Sequence, residues 1–266
     1  MHIFQLFPAA RVRNSIDILN LRGWELSVQG WRFVREGDAG RRGICYNGGM
    51  NKAPTLFFDL DGTLIDSRGD IANSVNLTRR DYGLEPLPLA EVTQMVGNGA
   101  RQLMLRAMPG FEDQIEALLA NNKRQYAEHL VVHTTVYEGV REGLAELRAM
   151  GCRMAVTSNK TSELIPRILE RLGLLQYFEV TVGGGDVPVL KPDPGLLFLA
   201  ARRMGVDVRP TDWVVGDHYT DLAVGRHAGV RVCHCAYGFG QARGERFDVE
   251  VGDLREFAAH LRSLEG

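Results

Sequence analysis

The chain lacks the features that would place it in a membrane, on nucleic acid or in a disulfide framework. It has no apolar run near the roughly 20 residues that a membrane-spanning helix needs. The N-terminal Phe4-Gln5-Leu6-Phe7-Pro8 is too short and broken for the apolar segment of a signal peptide. The net charge is only -2, so no overall field favours nucleic acid or an anionic membrane surface. There are four cysteines without framework spacing, which fits a reducing, cytoplasmic setting. Cys233-His234-Cys235 suggests a metal site at first sight. However, Val230 to Cys235 reads as a strand, so the two cysteines share one face and His234 takes the other. No second ligand cluster completes a tetrahedral site, and the cysteines are expected to be buried structural residues. Internal repeats and low-complexity segments are also missing.

What remains is an ordinary globular composition: 266 residues, 45% of them hydrophobic, enough for a core domain with a smaller insert. Residues 1–50 differ from the rest. They carry seven arginines against Asp17, Glu25, Glu36 and Asp38, and end in glycine-rich sequence without a clear helical or strand period. Two readings are open for them, a targeting or regulatory extension and an over-extended reading frame with Met50 as the natural start. The second is preferred, because a complete domain follows Met50 and the acids weaken a transit peptide.

The most informative stretch is Phe57-Phe58-Asp59-Leu60-Asp61-Gly62-Thr63-Leu64. Thr55 to Phe58 is short, β-branched and aromatic, as in a buried strand, and Gly62 permits a sharp turn just beyond it. Asp59 and Asp61 therefore lie past the C-terminal end of a strand, where open α/β sheets bind ligands. From Ser67 to about Thr135 apolar residues recur at intervals of three and four, which predicts an inserted, all-helical subdomain. Strand and helix then alternate: helix from Val140, strand Arg153–Thr157, helix Ser162–Leu172, strand Val180–Val182 and helix Pro194–Met204. Strand Trp213–Val215, helix Asp221–Ala228, strand Val230–Cys235 and helix Leu254–Leu264 follow. This order predicts an α/β, doubly wound parallel sheet. The expected organisation is thus 1–50 as extension, 51–67 with 136–266 as core, and 68–135 as helical cap.

Three further polar clusters follow strands or precede a helix: Thr157-Ser158-Asn159-Lys160, Lys191-Pro192-Asp193-Pro194 and Gly216-Asp217-His218-Tyr219-Thr220-Asp221. Singly, each reads as a helix cap or exposed loop. Together they fall on one edge of one sheet. Asp59, Asp61, Asp217 and Asp221 are then too many carboxylates to stay ionised without a hard cation. Ser158, Asn159 and Lys191 supply donors and a positive charge for an anion. Such parts make up a phosphoryl-transfer site.

The order DLDGTLIDS, TSNK, KPDP and GDHYTD, across residues 51–266, resembles the haloacid dehalogenase (HAD) superfamily. Within it the chain is most similar to phosphoglycolate phosphatases, a likeness that includes Val96-Gly97-Asn98-Gly99 and Val182-Gly183-Gly184-Gly185-Asp186-Val187. The resemblance implies a Rossmann-like core with a helical cap, and a Mg²⁺-dependent phosphatase for a small phosphorylated metabolite such as 2-phosphoglycolate. It implies Asp59 as nucleophile forming an aspartyl-phosphate, Asp61 as general acid and base, and Mg²⁺ held by Asp59, Asp61, Asp217 and Asp221. Ser158, Asn159 and Lys191 would hold the phosphate oxygens, and Lys191 would also orient Asp59. His218 departs from the Ser usual in the family; a tolerated turn residue is the expectation. Arg101 is the candidate for a substrate carboxylate, with Arg79 and Arg80 behind it. A dehalogenase is disfavoured because it needs neither a second acid at Asp61 nor a metal. A phosphosugar mutase, pyrophosphatase or nucleotidase stays open, as does the choice of monomer or homodimer. A non-catalytic phosphoacceptor is disfavoured by the full set of Asp59, Asp61, Lys191 and Asp217.

Overall fold

The computed structural model describes residues 53–264 and, N-terminal to them, the backbone of three strands. These are β1 (Glu25–Val28), β2 (Trp31–Val34) and β3 (Cys45–Asn47), paired antiparallel in that order. They belong to a compact unit, Met1–Lys52, separate from Ala53–Gly266. No clear period marks these strands in the sequence, because each has at most four residues, too few for an alternating pattern to register. The remaining readings of residues 1–50, and of the Cys45 side chain, lie outside the described residues.

In the larger unit, the buried TLFF run forms β4 (Thr55–Phe58). The helical stretch follows, flanked by two short strands, β5 (Ile65–Asp66) and β6 (Thr135–Val136), which pair antiparallel. Between them lie α1 (Arg68–Asp81), α2 (Leu89–Met95), α3 (Ala100–Ala107) and α4 (Ile115–Glu128). The apolar intervals face inward here: Ile71, Val75, Val92, Leu103, Met104 and Leu118 are all buried. Two-residue strands give no periodic signal, so this clasp is missing from a reading by pattern.

The chain then alternates as expected: α5 (Val140–Ala149), β7 (Arg153–Thr161), α6 (Leu164–Arg171), β8 (Val180–Gly184), α7 (Gly195–Met204) and β9 (Trp213–Gly216). It ends with α8 (Tyr219–Ala228), β10 (Arg231–Cys235), β11 (Val249–Val251) and α9 (Leu254–Ser263). Six strands form one parallel sheet in the order β11-β10-β9-β4-β7-β8. The edge strand β11 is new; Val249-Glu250-Val251 is too short to read as one. Alternate residues of β4 enter two different cores. Leu56 and Phe58 meet Trp213, Val215 and Phe257 on one face, and Phe57 meets Val214, Leu196 and Val224 on the other. Each fully buried side chain of this size contributes about 1.5–3 kcal/mol. Apolar strands covered on both faces are what a doubly wound sheet requires. Cys233 and Cys235 share one buried face, while the imidazole of His234 meets Glu250 at 2.9 Å.

Beside the clasp, one buried carboxylate fastens the return of the insert to its first helix. Asp70 on α1 accepts from the backbone N–H groups of Val132, His133 and Thr134 at 2.9–3.0 Å, and from the Thr134 hydroxyl at 2.5 Å. Removing it strands several donors, each worth about 1–3 kcal/mol if left unsatisfied. Asp70→Ala is therefore expected to lower unfolding stability by about 3 kcal/mol, read as a fall in the urea midpoint. A change below about 0.5 kcal/mol would show that water replaces the carboxylate without loss.

Candidate active site

The site is assembled where β4, β7 and β9 end side by side. Asp59 directly follows β4, and its N–H donates to the Val215 carbonyl of β9 at 2.9 Å, fixing the carboxylate at the sheet's edge. Gly62, with φ +89°, turns the chain immediately beyond; a Cβ there would fall inside the Asp217 carboxylate. Asp61 stands just before this turn, where Ser67 Oγ donates to Asp61 Oδ1 at 2.6 Å.

The cluster 157–160 lies within β7 rather than after it. The ladder to β8 runs as far as Thr157↔Val182 and resumes at Thr161↔Gly184, so four steps on β7 face two on β8. That irregularity frees Ser158, Asn159 and Lys160 to line the cavity while the strand continues, and Thr157 is left out of it. A bulge of this kind carries no residue signature, which is why a reading by pattern ends the strand early.

Lys191, in the loop between β8 and α7, crosses to the centre. Its Nζ donates to Asp59 Oδ1 at 2.6 Å, to the Thr157 carbonyl at 2.9 Å and to Asp221 Oδ1. Asn159 secures that loop: Lys191 N donates to its Oδ1 at 2.8 Å, and its Nδ2 donates to the Lys191 carbonyl at 3.1 Å and to the Gly97 carbonyl at 3.0 Å. The Asn159 amide is thereby engaged with backbone on both the core and the insert.

Asp59, Asp217 and Asp221 are buried and offer carboxylate oxygens all within 4.8 Å of one another. Lys191 balances two of them. Asp217 instead meets neutral donors, the Thr63 hydroxyl at 3.3 Å and Gly240 N at 2.6 Å. Burial, together with the charges of Asp221 and Asp59, pushes the Asp217 carboxyl well above its ordinary range. Burial likewise pushes Asp59 up to about 6, against the pull of Lys191. A buried all-oxygen set with more negative charge than its lysine offsets suits a hard divalent cation. Asp61 lies apart from this trio, with its carboxylate tied to Ser67 and Lys160.

These groups stand at one end of a cavity of about 630 Å³ whose opposite wall comes from the helical insert, including Ile71, Leu103, Asn122 and Tyr126. Insert and core touch closely at Gly97. Asn98 Nδ2 donates to Tyr219 Oη at 2.7 Å, and the His218 ring lies against Gly97. His218 also caps α8 with its side chain, and burial pushes its imidazole down to about 4. It is thus the N-cap of α8 and also meets the insert. Arg101, by contrast, is not brought to the cavity: its side chain is 55% exposed and pairs with Glu116 at 2.6 Å. It stands on α3 beside lining residues, so proximity in sequence does not carry its side chain inward. Arg79 is buried away from the cavity lining, with its guanidinium on the Glu85 and Ala107 carbonyls, and Arg80 is exposed. Two contributors escape a sequence reading. One is the loop Phe239-Gly240-Gln241 after β10, whose glycine-aromatic sequence past a strand end is the available signal. The other is Lys160, hidden inside the TSNK cluster.

The acid cluster, its bridging lysine and the helical insert thus share one cavity at the sheet edge, and comparison with known proteins gives the class of hydrolase. Residues 56–235 match the model of the haloacid dehalogenase-like hydrolases. The chain is 37% identical over 206 residues to a phosphoglycolate phosphatase of Chromobacterium violaceum, covering 75% of this chain and 92% of that one. It is 32% identical over 228 residues to a phosphoglycolate phosphatase of Neisseria meningitidis, covering 81% and 97%. Among solved structures, one described as a predicted phosphoglycolate phosphatase from Haemophilus somnus 129PT superposes with a TM-score of 0.73 at 28% identity, covering 80% of this chain and 99% of that one. The chain belongs to the haloacid dehalogenase-like hydrolase family, as a phosphatase. No helix among the described residues is long and apolar enough to cross a membrane.

The contact at Gly97 generates a prediction. Its φ is +115°, and an added Cβ would stand 2.5 Å from His218 Cε1. Gly97→Ala is expected to lower kcat/KM for small phosphate esters about tenfold, since a side chain in this backbone region alone costs about 1–2 kcal/mol. In a His218→Ser background the same substitution should cost less. Equal losses in both backgrounds would assign the effect to backbone strain, and no loss in either would mean that the insert does not need this approach.

Proposed function

We propose that the chain hydrolyses a small phosphate monoester, 2-phosphoglycolate, through a covalent intermediate on Asp59. The observation that carries the reading is the placement of two carboxylates from one turn in different surroundings. Asp59 is gripped by Lys191 beside the acid cluster, whereas Asp61 is held separately by Ser67 and Lys160. Two acids two residues apart are thereby suited to different tasks.

In this reading an Asp59 carboxylate oxygen attacks phosphorus while the bond from phosphorus to the ester oxygen breaks. Asp61 gives its proton to the departing oxygen. Asp61 then takes a proton from water, whose oxygen attacks the same phosphorus, and phosphate leaves with Asp59 restored. Lys191 and Ser158 would face the phosphate oxygens, with Lys191 also orienting Asp59. Asn159 would act one step back, by fixing the Lys191 backbone. Mg²⁺ would be held by Asp59 and Asp217, with Asp221 beside them and Asp61 contributing through its backbone carbonyl. The ion supplies charge neutralisation for the attacking and transferring oxygens. The uncompensated Asp217 supports this assignment, and the names of the relatives support phosphoglycolate as substrate. The insert, residues 68–135, would act as the cap that closes over the substrate.

Phosphate release from a panel of small esters, with and without Mg²⁺, tests the proposal. Turnover dominated by 2-phosphoglycolate, lost on chelation and reduced at least 10³-fold by Asp59→Asn, is the expected outcome. Activity that survives Asp59→Asn would exclude the covalent route. Broad turnover without preference would move the chain to another phosphatase or a phosphosugar mutase of the same family.

A further inference from the structure

Lys160 is a buried cation in the cavity wall that the proposed chemistry leaves without a task. Its side chain is 8% exposed, and its Nζ stands 3.2 and 3.1 Å from the two Asp61 carboxylate oxygens. The ammonium also lies 4.3 Å from the centroid of the Tyr126 ring, which the insert contributes through α4. The Asp61 carboxylate and the face of the Tyr126 ring are the partners that compensate an ammonium in so enclosed a position. The Tyr126 hydroxyl is itself buried on a residue that lines the cavity, and its polar neighbour there is the Lys160 ammonium. Other cations near the cavity are committed or exposed. Lys191 serves Asp59 and Asp221, Lys123 is 45% exposed and paired with Glu163, and Arg243 is exposed over the Tyr219 ring.

If Asp61 protonates the leaving oxygen, that oxygen must come within hydrogen-bond reach of it, about 3 Å. A cation bonded to the same carboxylate then faces the leaving group too. In 2-phosphoglycolate the carbon bearing the ester oxygen also bears the carboxylate, so the carboxylate enters this neighbourhood by covalent geometry. Burying it unpaired there would cost several kcal/mol. An ammonium has three donors, and contact with Asp61 does not exhaust them.

We infer that Lys160, with the Tyr126 hydroxyl as a second donor, receives the carboxylate of the substrate and makes the enzyme selective for phosphate esters of 2-hydroxy acids. The inference rests on the proposed phosphatase reading and adds a receptor for the part of the substrate that does not react. It assigns to the TSNK lysine the role expected of Arg101. It also puts one donor on the core and one on the insert, so a carboxylate-bearing substrate would join the two.

The test compares kcat/KM for 2-phosphoglycolate with that for 2-hydroxyethyl phosphate, a matched ester with an alcohol in place of the carboxylate. Wild-type protein with Mg²⁺ should prefer the former by about 100-fold or more, because a site built around a charged partner rejects its absence. Lys160→Met is expected to bring the ratio within about threefold of unity, and Lys160→Arg to retain part of it. Both esters share any loss that acts through Asp61, so the ratio is the readout. Tyr126→Phe should lower the ratio about tenfold, the worth of one hydrogen bond to a charged group, and it guards against a Lys160 variant that fails to fold. A ratio unchanged in Lys160→Met, or in Tyr126→Phe where Lys160→Met does not fold, overturns the inference. Wild-type turnover of both esters without preference overturns it while leaving the phosphatase reading intact; no turnover of either ester removes both.

Discussion

The geometry of the site depends on the Lys191 ammonium. A lysine this buried persists only if it is paired, and here it is shared by Asp59, Asp221 and the Thr157 carbonyl. Asp59 directly follows β4, Thr157 is the last residue of β7 paired before its irregularity, and Asp221 stands in the first turn of α8, the helix that follows β9. One cation therefore ties two strand ends to the start of a helix, and the loop that brings it is fixed in turn by Asn159. Truncating Lys191 would leave two carboxylates facing each other in a buried space, so the same contact serves both stability and the electrostatics of the cluster.

The arrangement also explains why carboxylates gather at this edge at all. In a parallel sheet the strand ends present backbone to a cleft rather than to a core, and polar side chains there need not be desolvated by packing. The cost of crowding them appears in Asp217 and Asp59, both pushed up by burial and by their acidic neighbours. Lys191 offsets part of that repulsion and leaves a net negative hollow. Asp61 stands apart from the hollow, held by Ser67 just before α1 and by Lys160 on β7. Two acids two residues apart thus sit in different environments, with the Gly62 turn at φ +89° directly after them.

Much of this was legible in the sequence, for identifiable reasons. The DxDGT run joins a buried apolar strand to a glycine turn, and both signals are local. The helices of the insert have apolar intervals long enough to register, and the later strands stand out because both of their faces are apolar. Missing were features defined by partners distant in sequence. The β5–β6 clasp has two residues on each side, β11 has three, and the bulge in β7 exists only relative to β8. Arg101 and Lys160 illustrate the same limit for side chains. Both are cations next to a recognisable motif; periodicity places Arg101 on a helix but does not give its rotation about the axis. Lys160 appears in sequence as the tail of a cap-like cluster, and only the irregular register turns it inward.

That contrast bears on how a helical insert can confer selectivity on a common catalytic edge. In the proposed reading the edge binds what all phosphate esters share, so discrimination falls to groups that meet the remainder of the substrate. The insert approaches the core through Gly97, which lies against His218, and through Asn98, which reaches Tyr219. Both contacts form around residues adjoining the acid cluster, so the approach of the insert to the core and the completion of the cavity share the same residues. Tyr126 stands over Lys160 in the same arrangement. A cation on the core, already oriented by Asp61 and covered by an aromatic ring from the insert, needs little reorganisation to meet a small anion. Such preorganisation lowers the ordering cost that a small substrate, with few contacts of its own, is least able to offset.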